Sequence, residues 1–217
     1  EYTERFPGNQ AAELVAIENM GRSGRKQESI RRMKEMSMRE DIDPEMVMIM
    51  IPMMENLGMN REAVGLREKT MELSLTNESV AEQRIRGLWE NANLQDALDE
   101  SSVADENFSD SALFAKLRAC IAAQNNNSNW SREEYIDPWI KKSFDIDPSM
   151  GTADKVLAEA IDMFRTNIME SGPLLRQAAA LFRDDPTILQ MINFMTAKSM
   201  ESQGDLFGAI NLSDQMQ

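Results

Sequence analysis

Met50-Ile51-Pro52-Met53-Met54-Glu55-Asn56-Leu57-Gly58-Met59-Asn60-Arg61-Glu62-Ala63-Val64 is the stretch whose reading decides the fold. An apolar run that begins near Glu45 stops at Gly58, and a small residue, Ala63, follows five positions later. Glycine adopts the left-handed backbone that a tight turn after a helix requires, and a small residue lets the next helix lie close to the first. The segment therefore predicts two antiparallel helices closed by a turn at Gly58. The same pairing recurs at one constant spacing: Gly24 with Ser29, Gly58 with Ala63, Ala92 with Ala97, and Asn126 with Ser131. Ahead of these turns, the helix ends carry Met20 with Ile17, Met54 with Ile51, Leu88 with Ile85, and Ala122 with Ala119. Near the C-terminus, Gly204-Asp205-Leu206-Phe207-Gly208-Ala209-Ile210 repeats the arrangement.

Working outward, the 217 residues are rich in unbranched helix formers, only 6% are aromatic, and no window alternates with the period of a strand. The expected class is all-α, with twelve helices at about 10–21, 25–39, 44–57, 61–75, 78–90, 94–103, 110–123, 131–143, 153–170, 173–183, 186–202 and 205–214. Leu157, Ile161, Phe164 and Ile168 form one apolar stripe; Ile188, Met191, Ile192, Met195 and Met200 form another. Asp-Pro pairs at 43–44, 137–138, 147–148 and 185–186 read as helix starts, because Asp accepts from first-turn amides and Pro has no amide to lose. Ser131 with Glu134 reads as a capping box. The stretch from Asp96 to Asp110 holds six acidic residues and no basic one, and is expected to be a solvated loop or a frayed helix end. The Asn-rich turn at 124–129 and the segment 144–152 flank one helix. They suggest an N-terminal module over 1–143, a linker at 144–152 and a C-terminal module over 153–217.

A helix–turn–helix period of about 34 residues, with a small residue after each turn, resembles the tetratricopeptide repeat. The resemblance covers roughly 10–143 as four units and 153–217 as two more; other arrangements of helical hairpins share the same turns. Met, Leu and Arg stand where that family carries large aromatics. The family implies a right-handed solenoid whose first helices line a concave, peptide-holding surface. The repeat phase places Leu14 and Glu18 on that surface, then Met48, Pro52 and Glu55, then Glu82, Arg86 and Trp89, then Lys116 and Cys120. Met50, Ile51 and Met54 fall on the packing side. The candidate partner-binding groove is thus Leu14, Met48, Pro52, Glu55, Arg86 and Trp89. A groove of Met, Pro and Trp suits an apolar segment, since Met adapts to irregular partners.

Catalytic chemistry is hard to place in this chain. It has no histidine, which removes the commonest general base and metal ligand. One cysteine, Cys120, forms no metal cluster and no internal disulfide, and reads as a small buried hydrophobe. Asp145-Ile146-Asp147-Pro148-Ser149 lacks the turn glycine and closing Glu of a calcium loop. No catalytic residue, metal or cofactor is expected. The formal charge of −14 disfavours nucleic acid and anionic membranes. Against it stands a basic stripe in 22–39, with Arg25, Lys26, Arg31, Arg32 and Lys34 at its centre. An acidic partner would meet such a stripe, and a solvated helix face accounts for the same charges. The longest apolar run is too short to span a membrane and no signal-peptide pattern is present, so the expectation is a soluble chain, cytoplasmic in preference.

Two function classes follow. One is a non-enzymatic protein–protein interaction module, an adaptor or secretion-type chaperone holding an apolar or amphipathic segment. The other is a self-assembling structural, viral or secreted effector component whose hairpins pack on copies of themselves.

Overall fold

The computed structural model describes residues 9–39, 42–125, 130–146 and 151–214. They form twelve α-helices and, among the described residues, no strand: α1 Gln10–Arg22, α2 Lys26–Ser37, α3 Pro44–Leu57, α4 Asn60–Ser74, α5 Glu78–Glu90, α6 Leu94–Asn107, α7 Leu113–Gln124, α8 Arg132–Ile146, α9 Gly151–Thr166, α10 Gly172–Leu181, α11 Pro186–Ser202 and α12 Leu206–Asp214. A 3-10 turn, Ile168–Glu170, separates α9 from α10.

Four of the connections share one geometry. Gly24, Gly58, Ala92 and Gly204 have φ of +83°, +83°, +58° and +84°. After each, the next amide reaches back across the turn: Arg25 to the Met20 carbonyl at 2.9 Å, Met59 to Met54 at 2.8 Å, Asn93 to Leu88 at 2.9 Å, and Asp205 to Met200 at 2.9 Å. This is the Schellman pattern, in which a left-handed residue satisfies carbonyls that the helix end would leave open. Five positions on, Ser29, Ala63, Ala97 and Ala209 are buried. Their amides make the first helical bond of the second helix, to Arg25, Met59, Asn93 and Asp205 at 3.0–3.1 Å. Gly24, Gly58 and Ala92 are evenly spaced along the chain. The position that continues this phase, Asn126, lies outside the described residues.

Side-chain caps fix several of the other helix starts. Asn9 accepts from Ala12 at 2.9 Å, Asn77 from Val80 at 3.1 Å, and Ser131 from Glu134 at 3.1 Å. Pro44 and Pro186 begin α3 and α11 as expected, with the Asp185 carboxylate accepting from Ile188 at 3.1 Å. Asp137-Pro138 does not start a helix: both residues lie inside α8, where Asp137 accepts from Arg132 at 3.0 Å. The pair at 147–148 lies outside the described residues. The acidic stretch is also ordered differently from its composition. α6 runs through most of it, because Ala97, Leu98, Ser101 and Ala104 share a buried face while Asp96, Asp99 and Glu106 stay outside.

The chain divides into two compact units, residues 1–84 and 85–217, so the boundary falls within α5. Residues 144–146 of the linker expected at 144–152 are instead the last turn of α8, and 147–150 are not described. In the first unit, α1 packs on α2 and α3, α2 on α3, and α3 on α4. The core there is Leu14, Ile17, Met33, Met36, Val47, Met50, Ile51, Met54, Met59, Ala63 and Leu66. In the second unit each helix from α6 to α12 packs on its neighbour in sequence, and α7 also meets α9 and α11. Its largest fully buried side chains are Trp139 and Phe114.

The turn residues offer a direct test. A Cβ at Gly58 would meet no atom within 4 Å, so Gly58→Ala is penalised by backbone conformation alone, by about 1 kcal/mol. Ala92→Gly should do the reverse and stabilise by roughly 0.5 kcal/mol, after the gain in unfolded-state entropy is subtracted. Urea-unfolding midpoints that shift in opposite directions check both.

Candidate functional site

The expected groove residues divide between burial and surface. Leu14 is 3% exposed and belongs to the first-unit core, so it lines no open groove. Trp89 is 5% exposed and donates its indole N–H to Gln124 Oε1 at 2.6 Å, which makes it a core residue of the second unit. Arg86 is engaged too, by a two-bond pair with Asp185 at 2.9 and 2.8 Å. Met48 is half-buried against the first-unit core, and Pro52 and Glu55 are exposed, with Glu55 paired to Arg67. Which residues of a helix are covered is decided by packing against other helices, which helix phase alone does not fix. Cys120 is fully buried, and that burial pushes its thiol up to about 12.

The basic stripe is largely matched within its own unit. Arg25 pairs with Glu28 at 2.7 Å, Arg32 approaches the same carboxylate at 3.6 Å, Arg31 pairs with Glu35 at 2.9 Å, and Lys34 lies 4.0 Å from Glu62. The nearby Arg39 reaches Glu13. Exposed pairs of this kind contribute little energy, but they remove most of the field an acidic partner would feel. Lys26 has a different setting. With Glu18, Gly21, Arg22, Ser29, Met53, Asn56 and Leu57 it lines a cleft of about 280 Å³ between α1, α2 and α3. Ser29 donates to the Ile17 carbonyl at 2.9 Å, and a Cβ on Gly21 would stand 3.4 Å from both Ser29 and Leu57, so small residues set the cleft's floor.

α3 separates its two faces cleanly. Val47, Met50, Ile51 and Met54 point into the core, while Ile49 is 47% exposed, Pro52 is open, and Met46, Met48, Met53 and Leu57 lie between. Pro52 has no N–H, so the Met48 carbonyl has no i+4 amide to accept from. The resulting surface is an apolar strip, with a backbone acceptor released from its i+4 bond, beside a cleft rimmed by Glu18, Arg22 and Lys26.

The second unit is organised by paired polar groups, and Lys116 and Arg86, expected on the groove, are among them. Asp154 accepts from Trp139 Nε1 and Ser143 Oγ, both at 3.0 Å, and faces Lys116 Nζ at 3.6 Å. Lys116 lies 5.7 Å from the Phe182 ring centre. These contacts tie α7, α8 and α9 together, and Arg86–Asp185 ties α5 to the start of α11. Only sequence-distant pairs could have signalled them: Arg86 and Asp185 are 99 positions apart. Among the described residues, no group of three or more His, Cys, Asp or Glu is placed to hold a metal ion, and no helix is long and apolar enough to cross a membrane.

Comparison with protein-family models, with curated proteins and with solved structures gives no match in any of the three.

Asp185 gives the second unit an acid limit. Burial by itself raises its carboxyl, but the Arg86 guanidinium and the Ile188 amide outweigh that and hold it below the ordinary carboxylate range. A depressed folded value means stability that is present above about pH 4, the unfolded carboxyl range, and is lost as pH falls through the folded value. Arg86→Met should therefore cost about 1–2 kcal/mol at pH 6. The gap between its unfolding midpoint and that of the wild type should close as the pH is lowered below about 4.

Proposed function

We propose that the chain is a non-enzymatic protein–protein interaction module of tetratricopeptide-like hairpins, acting as an adaptor or chaperone, and that the open face of α3 takes a basic amphipathic segment of a protein partner. The observation that carries this is the division of α3. One side of a methionine-rich helix completes the core, and the other leaves Met48, Ile49, Pro52 and Met53 as a partly uncovered apolar strip. Support for a hairpin-repeat scaffold comes from the evenly spaced Schellman turns at Gly24, Gly58 and Ala92. Such a scaffold sets first helices side by side as a surface for extended or helical segments. The charge of −14 steers basic segments toward the chain and acidic ones away. Methionine side chains repack around different apolar anchors at low cost, which suits a holder of varied clients.

The test uses a fluorescein-labelled peptide with Leu at helical spacing and Lys elsewhere. Its controls are a Leu/Glu peptide with the same apolar stripe and a scrambled Leu/Lys peptide. Binding of the Leu/Lys peptide on the order of 10 μM is expected, weakened at least about tenfold by Ile49→Asp with helicity unchanged. Equal binding of the scrambled peptide, or no effect of Ile49→Asp, overturns the proposal. The self-assembly reading has its own support in α12, where Leu206, Phe207 and Ile210 are 62%, 77% and 59% exposed. A sedimentation coefficient that rises with protein concentration, with Phe207→Asp abolishing the rise, would favour that reading instead.

A further inference from the structure

The second unit contains a cavity of about 560 Å³ lined by Ala123, Gln124, Phe164, Arg165, Ile168, Phe194 and Lys198, within the range of small-ligand sites. We infer that it binds an amphipathic organic anion: one acidic group on an apolar, ring-sized body. The polar side chains on its wall are donors. Gln124 uses its Oε1 to accept from Trp89 at 2.6 Å, which leaves its amide nitrogen as the remaining group. Arg165 and Lys198 are cations with no accepting atom. Backbone acceptors on the wall are engaged: the Ala123 carbonyl faces Arg165 Nη1 at 3.5 Å, and the Ile168 carbonyl accepts from the Ser171 and Ser199 hydroxyls, each at 2.8 Å.

Arg165 is held in place by an aromatic ladder. Its guanidinium lies 5.5 Å from the Trp130 ring centre, Trp130 stacks on Tyr135 at 5.0 Å and 7°, and Arg118 lies over Tyr135 at 5.2 Å. A cation fixed on a ring loses less freedom when it binds an anion than one on a free chain. The indole N–H of Trp130 is buried and has no acceptor among the described residues, so this neighbourhood has donors to spare. Lys198 lies 6.0 Å from the Phe194 ring centre and pairs with Glu201 at 2.9 Å, so an anion competes with that exposed carboxylate for it. Phe164, Ile168 and Phe194 supply the apolar wall. Phe164 and Ile168 end the stripe that Leu157 and Ile161 begin in the core, and emerge from it half-exposed. The inferred site lies wholly within residues 85–217 and is independent of the α3 face.

The probe is 8-anilinonaphthalene-1-sulfonate. Its control is N-phenyl-1-naphthylamine, which has the same rings and no charge. Fluorescence titration of the intact chain should give one saturable site for the sulfonate, at least about tenfold tighter than for the neutral amine. Lys198→Met, at an exposed position, should weaken the sulfonate about fivefold or more and leave the amine unchanged. Arg165→Met should add to that loss, and Phe194→Ala should weaken both ligands, with circular dichroism confirming that each variant is folded. Equal affinity for the two ligands overturns the inference. So does sulfonate binding that Lys198→Met leaves intact, which would place the probe on another apolar surface such as the α3 face.

Discussion

The left-handed residue that closes a hairpin is the constraint on which the rest of this structure depends. At Gly24, Gly58, Ala92 and Gly204 the backbone turns with positive φ, and the following amide reaches back to a carbonyl that the preceding helix leaves open. That turn determines where the second helix starts. The buried Ser29, Ala63, Ala97 or Ala209 then sets how closely it can lie against the first. Once two helices are antiparallel and in contact, their apolar faces are committed to each other, and the remaining faces are what the protein has to offer. Ala92 is informative because it carries a Cβ into a conformation that disfavours one. Its surroundings hold the turn in spite of the side chain.

Methionine fills the space those turns create in the first unit. Met33, Met36, Met50 and Met54 are fully buried together. Unbranched thioether chains fit an irregular gap between helices, at the cost of specifying it less tightly than branched residues would. The same property at the partly covered Met46, Met48 and Met53 makes a surface that can repack. Core and surface are therefore built from one residue type, separated only by which side of α3 it occupies. The second unit solves its packing differently. Trp139 and Phe114 provide bulk, and the buried Asp154 draws Trp139, Ser143 and Lys116 around one carboxylate. A carboxylate this enclosed requires all its partners, which favours one helix arrangement over its alternatives.

Local chemistry was legible in the sequence and distant pairing was not. Glycine and a small residue five positions apart announced the turns; Asp185-Pro186 and Ser131 announced helix starts; apolar spacing placed the helices. Composition misled where it was read without periodicity. The acidic run from Asp96 was expected to be a solvated loop or a frayed helix end, yet α6 continues through Asn107, with Ala97, Leu98, Ser101 and Ala104 as its buried face. Asp137-Pro138 has the letters of a cap but sits inside α8. Leu14 and Trp89 were expected to line a groove, yet packing against other helices buries both. The cavity around Arg165 and Lys198 joins side chains from three separate helices and the turn after α9, and its only local trace is aromatic–cation adjacency at Phe164-Arg165 and Phe194–Lys198.

Amide hydrogen exchange at single-residue resolution tests the turn-based account most directly. Arg25, Met59, Asn93 and Asp205 lie at the exits of turns, where exchange is ordinarily fast, yet each donates a bond across its turn. Their amides should exchange at least about a hundredfold more slowly than in an unstructured chain. Exchange near the unstructured rate at Met59 and Asn93, with the central amides of α3 and α5 still protected, would show helices that form without these turns closing them, and would contradict the account.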